Sequence, residues 1–186
     1  MQKYFTTRKI THIAVFTALV FVATTLLSIP NGIGYTNLGD TFIFVAASYF
    51  DPLFSFLIAS FGSMISDFAL GYPIYAPFTF VIKGLEGLIF CILRRFLLKK
   101  GLSPFISLLI SGVISALFMV GGYFCANTIL YSIEYSAAAV LNDLLQGGFS
   151  LIFGISITFS IIKTKLFENT SDNLLRSRFN ERHNNN

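Results

Sequence analysis

The sequence predicts an all-α integral membrane protein: a bundle of six transmembrane helices with both termini cytoplasmic. Three observations predict it. The chain is 54% hydrophobic and only 12% charged, with a mean hydropathy of +0.72, whereas a soluble domain carries about a quarter charged residues. Of its thirteen Lys and Arg, all but Lys83, which falls inside an apolar run, are segregated. Lys3, Arg8 and Lys9 precede the first apolar run, Arg94, Arg95, Lys99 and Lys100 fill one connection, and Lys163, Lys165, Arg176, Arg178 and Arg182 follow the last run. The alternate connections have none, which is the positive-inside pattern of a multi-span protein. Finally, all five prolines lie at or near the ends of apolar runs, where a helix tolerates them.

The elements follow from that punctuation. A first helix is expected from Arg8 to Ile29, stopping at Pro30-Asn31-Gly32. A second runs from Leu38 to Phe50 and stops at Asp51-Pro52. It is short against the roughly 20 apolar residues a span needs, so a tilted span or a re-entrant piece is the alternative there. A third runs from Leu53 to Leu70 and stops at Gly71-Tyr72-Pro73. The fourth, fifth and sixth are expected over Phe78–Leu98, Pro104–Ala126 and Ser136–Ile162. The outer connections are then 30–37, 71–77 and 127–135. Residues 1–166 form one membrane domain. Residues 167–186 form a polar cytoplasmic tail whose composition predicts disorder. Cys91 and Cys125 both fall in apolar runs and read as small buried core residues rather than a disulfide or metal pair.

Several function classes are excluded. The basic excess belongs to cytoplasmic connections and is not interleaved with aromatics on a soluble element, so it does not mark a nucleic-acid surface. No Walker motif is present, so the chain does not itself hydrolyse ATP. No H-E-x-x-H, G-x-S-x-G or Cys/His metal spacing occurs, and neither a cofactor nor a metal is expected. An enzyme is therefore disfavoured. A secondary transporter is disfavoured by the lack of an inverted repeat. A purely structural membrane subunit is the remaining rival, and it predicts tolerance of Asn142→Ala or Lys83→Met.

The informative residues are polar groups inside apolar runs, where each ionisable side chain costs roughly 2.5–3.5 kcal/mol on insertion scales. Asp40 opens the second segment, Asp67 lies near the outer end of the third, and Lys83 and Glu86 lie in the outer half of the fourth. Asn142, Asp143 and Gln146 lie in the outer half of the sixth, and Tyr35, Asn37, Tyr72 and Tyr75 in the outer connections. All converge on one outward-facing pocket with aromatic walls. Lys83 and Glu86 share a helix face, either as a self-neutralising pair or as ligand groups. Asp40 and Asp67 are either helix-end residues in water or pocket residues. Asn142, Asp143 and Gln146 need partners inside a span, and ligand contact supplies them. The tyrosines are either an interfacial belt or stacking surfaces for a planar ligand. Small residues four apart permit close helix approach in lipid. Ser111/Ser115, and Gly147 with Gly154, read as internal packing, whereas Ala14 and Ala18 can equally meet a partner subunit.

Asn37-Leu38-Gly39-Asp40, then Asp67-Phe68-Ala69-Leu70-Gly71-Tyr72-Pro73, then Phe80-Val81-Ile82-Lys83-Gly84-Leu85-Glu86-Gly87 together resemble the substrate-binding S components of energy-coupling factor (ECF) vitamin transporters. Within these the resemblance is to the riboflavin, hydroxymethylpyrimidine and pyridoxine group, over about residues 8 to 165. It implies a prokaryotic cell-membrane protein that binds a vitamin from outside. It further implies docking on a membrane T component through Ala14-x-x-x-Ala18, with two cytoplasmic ATPase subunits driving uptake. The outer stretches matching the ligand-enclosing loops are Tyr35–Asp40, Tyr72–Tyr75 and Asn127–Glu134. Aromatic, amide and mixed-charge character suits a small planar heterocycle such as pyridoxine or hydroxymethylpyrimidine, with riboflavin and thiamine as the other candidates.

Overall fold

A computed structural model describes residues 7–30 and 35–164. The predicted tail, residues 31–34 of the first outer connection, and the basic residues Lys3, Lys165, Arg176, Arg178 and Arg182 lie outside the described residues. Among the described residues there are six helices: α1 (Thr7–Leu26), α2 (Gly39–Tyr49), α3 (Pro52–Leu70), α4 (Ala76–Lys99), α5 (Pro104–Leu130) and α6 (Ile133–Thr164). Five are long and apolar enough to cross a membrane. The exception is α2. Its 11 residues rise about 16 Å, about half of the hydrocarbon thickness.

The boundaries have local causes. Prolines 52, 77 and 104 sit in the first turns of α3, α4 and α5, where their missing N–H costs nothing. The Ser103 hydroxyl caps α5 by accepting from the Ile106 amide. Gly71 ends α3 with φ 84°, a left-handed conformation that favours glycine. Two expectations are corrected. α1 stops at Leu26, and Ile29–Pro30 pairs antiparallel with Tyr35–Thr36 in a minimal hairpin. The third outer connection shrinks from 127–135 to 131–132. No Gly or Pro interrupts 127–135, and the Tyr131 amide still donates to the Asn127 carbonyl at 2.9 Å.

Contacts between helix ends define the two ends of the bundle. Lys9 and Arg95 both bind Asp51, so the start of α1, the α2–α3 junction and the end of α4 lie together. Phe105 packs on Phe159, and the Tyr49 hydroxyl reaches the Thr158 carbonyl, which brings in the start of α5 and the end of α6. Both limits of the described helices therefore lie at this basic end. The hairpin, the start of α2 and the α3–α4 and α5–α6 connections lie at the other.

Between these ends, Phe44, Phe54, Ile58, Phe90 and Leu108 are almost fully buried, and Phe44 stacks on Phe90 with centroids 4.9 Å apart. Glycines let helices approach. A Cβ at Gly84 would collide with Ser60 and Phe56 of α3, and one at Gly87 would lie 3.0 Å from the Ser55 carbonyl. The Gly147 and Gly154 positions abut Ala116 and Phe44 respectively, and Ser111 and Ser115 are fully buried, so these small residues serve internal packing. Ala14 and Ala18 instead face outward, opposite the buried Phe16, Val20 and Ala23. Cys91 is buried as expected, but Cys125 is exposed on the outer face of α5.

Candidate functional site

The half-length α2 makes the site possible. Asp40, in its first turn, meets Lys83 about two turns into α4 and Gln146 more than three turns into α6. The chain leading to α2 therefore enters the bundle as non-helical backbone. At membrane depth such backbone is tolerated only when buried in protein or lining a cavity, and here its polar groups are met by side chains. The Asn37 amide donates to Gln146 Oε1 at 3.2 Å, and the Gly39 amide donates to Asn37 Oδ1 at 2.8 Å.

Above this entry segment lies a cavity that offers about 70 Å³ to the centres of water molecules. Its wall includes seven of the residues expected from sequence: Tyr35, Asn37, Asp67, Tyr75, Asn142, Asp143 and Gln146. Tyr35 donates to Asp67 Oδ1 at 2.6 Å, and Tyr75 donates to Asn127 Oδ1 at 2.7 Å. Burial first, and then the hydrogen bond with Tyr135, raise the Tyr75 pKa, so this phenol at the head of α4 stays neutral. Asp143 Oδ2 is shielded and has no hydrogen-bond partner among the described residues.

Tyr72 is not part of the wall, but its ring lies 5.3 Å from that of Tyr35 and 6.4 Å from that of Tyr75, both of which are. Asp40, Lys83 and Glu86 also lie outside the wall, as a sealed triad. Lys83 bonds Asp40 and, at 3.1 Å, Glu86. The three residues are 0%, 3% and 0% exposed. The alternative of water-facing helix-end carboxylates therefore fails for Asp40, and for Asp67 at 2% exposure. Gln146 links wall to triad: its Oε1 accepts from Asn37, and its Nε2 donates to Asp40 Oδ2 at 3.0 Å.

Four wall residues were not singled out individually: Thr79, Tyr123, Asn127 and Ala139. Helical spacing carries the missing signal. Tyr75, Thr79, Lys83 and Glu86 follow one another at four, four and three residues, and Tyr123 and Asn127 are four apart, so each set shares a face. The Tyr123 hydroxyl lies 3.1 Å from Thr79 Oγ1, and its ring lies 5.4 Å from Lys83 Nζ. It thus separates the cavity from the triad.

Residues 4–165 match the family model described as the ECF-type riboflavin transporter, S component. The chain belongs to this family. It is a multi-pass membrane subunit of a vitamin transporter rather than an enzyme. An uncharacterized protein of Pyrococcus woesei is 34% identical over 137 residues, covering 74% of this chain and 88% of that protein. The thiamine precursor transporter HmpT of Lactococcus lactis subsp. cremoris (strain MG1363) is 29% identical over 142 residues, covering 75% and 78%. A solved S component of a bacterial ECF transporter shares the fold with a TM-score of 0.66 at 16% identity, over 84% of this chain and 96% of that one.

Proposed function

We propose that this S component captures a single-ring heterocycle of the thiamine-precursor kind, with hydroxymethylpyrimidine as the substrate and pyridoxine the next candidate. The observation that carries this is the size and lining of the cavity. By the same measure a water needs about 10–15 Å³, so 70 Å³ holds a handful of waters. A substituted pyrimidine or pyridine replaces about that many. The tricyclic ring and sugar-alcohol chain of riboflavin replace several times more. The likeness to HmpT supports a thiamine precursor, and the family description supports riboflavin. Amides and carboxylates from Asn37, Asn142, Asp143 and Gln146, facing Tyr35, Tyr75 and Tyr123, suit a small ring rich in N–H and O–H groups.

The cavity end faces outside in this proposal, and both termini are cytoplasmic in a prokaryotic cell. Lys9, Arg94, Arg95, Lys99 and Lys100 cluster at the opposite end, in agreement with the positive-inside rule. The outward face of α1 around Ala14 and Ala18 is the docking surface for a membrane T component, which two cytoplasmic ATPases serve. Mass spectrometry of small molecules released from the purified protein tests the substrate. A pyrimidine or pyridine alcohol is the expected mass, and riboflavin would overturn the assignment. Ala14→Trp and Ala18→Trp are expected to abolish uptake with binding unchanged. Loss of binding in those variants would contradict the separation of docking face from cavity.

A further inference from the structure

We propose that Asp143 is the specificity-determining residue of this cavity, pairing with the N–H donors of a basic heteroaromatic ring and turning away phosphorylated forms of the same ligand. The inference rests on the single-ring substrate proposed above and deepens it. Among the described residues the wall contains two carboxylates, Asp67 and Asp143, and no Lys, Arg or His. Asp67 Oδ1 already accepts from the Tyr35 hydroxyl, although its Oδ2 has no partner among the described residues; the Asp143 carboxylate has no hydrogen bond at either oxygen among them. Asp143 Oδ2 is shielded from solvent with no donor among the described residues, a costly state for a carboxylate unless a ligand completes it.

Lys83 acts on Asp143 through space but does not supply that donor. Its ammonium is committed to Asp40 and Glu86, outside the wall and 3% exposed. A phosphate entering the cavity therefore meets two carboxylates and, among the described residues, no cation in the wall; the nearest, Lys83, is already paired with Asp40 and Glu86. An aminopyrimidine brings the amino N–H that a carboxylate lacks, and a hydrogen bond to a charged acceptor is about twice as strong as a neutral one. The neighbours help: Ala139, one turn before Asp143, is a small wall residue, and Asn142 brings an amide to the same wall.

The test is calorimetric titration of the purified full chain in detergent, at neutral pH, with hydroxymethylpyrimidine and with its phosphate ester. Wild type is expected to prefer the free alcohol by about a hundredfold. Asp143→Asn is expected to bind the alcohol about tenfold more weakly and to narrow the discrimination against the ester. Because the substitution removes an unpartnered charge, the ligand-free Asn variant is expected to melt no lower than wild type, which a residue of structural importance alone does not predict. Asp143→Glu, which keeps the charge, is expected to keep the discrimination and provides a second variant if the Asn protein does not fold. Equal affinity of wild type for alcohol and ester overturns the proposal, as does undiminished alcohol binding by Asp143→Asn or lost discrimination in Asp143→Glu. If wild type binds the alcohol and the Asn variant is unaffected, the substrate stands and the role of Asp143 falls. If wild type binds neither, the substrate itself is wrong and this inference falls with it.

Discussion

The two ends of the bundle use the same residue types in opposite ways. At the basic end one carboxylate has two cations: Asp51 Oδ2 meets Lys9 at 2.9 Å, and Oδ1 meets Arg95 at 3.2 Å. Arg95 also donates to the Phe50 carbonyl, and Arg94 to the Ser48 carbonyl, at 2.9 and 2.8 Å. The Asp51 side chain is about a third exposed. At the cavity end two carboxylates share one cation, the triad is sealed, and Glu86 Oε1 has no partner among the described residues. At the basic end the Asp51 ion pairs are met at a partly exposed position. The cavity end leaves acids in excess and polar atoms open, which accords with the ligand site proposed there.

Removing Lys83 breaks this comparison most severely. Lys83→Met leaves Asp40 and Glu86 buried without a counter-charge, and breaking such a pair costs about 3–5 kcal/mol. The variant is expected to melt far below wild type in detergent and to lose ligand binding. A wild-type melting temperature would mean the triad contributes little. Gln146→Ala is expected to act at the next level. It strips a partner from Asn37 and from Asp40, for about 1–3 kcal/mol, seen as lower ligand affinity with a smaller loss of stability. Normal affinity in that variant would uncouple wall from triad.

The smallest effect is expected at the other end. Asp51→Asn removes a partly exposed ion-pair cluster, a change of at most about 1 kcal/mol. Its pH dependence sharpens the contrast. Burial alone would raise the Asp51 pKa, but the hydrogen bonds from Lys9 and then Arg95 bring it below the usual value. A depressed carboxylate pKa adds stability above the unfolded value of about 3.9, and that stability is lost as pH falls through the folded value. The gap in melting temperature between wild type and Asp51→Asn is therefore expected at neutral pH, to begin shrinking near the unfolded value of about 3.9 and to vanish only once pH is below the lowered Asp51 value. A gap that persists in acid would assign the effect to packing.

Much of this was legible in the sequence because membrane burial makes polarity informative. Lys83 stands out as a lone cation in an apolar run, and Asn142, Asp143 and Gln146 mark one face by spacing alone. Tyr123 was not legible, since a tyrosine amid Gly121, Gly122 and Phe124 looks like any other aromatic in a span. The division between wall and triad was not legible either. It depends on α2 starting deep in the bundle, and nothing in Asn37-Leu38-Gly39-Asp40 specifies depth until α4 and α6 are in place. The fifth helix overran its expected end because Asn127 and Thr128 suggest a loop by residue type, while their backbone groups continue the helix.

Calorimetric titration of the wild-type protein with hydroxymethylpyrimidine, pyridoxine, thiamine and riboflavin tests the central claim most directly. One-to-one binding, tightest for hydroxymethylpyrimidine and weakest or absent for riboflavin, is the predicted result. Tightest binding of riboflavin, or no binding of any of the four, would contradict it.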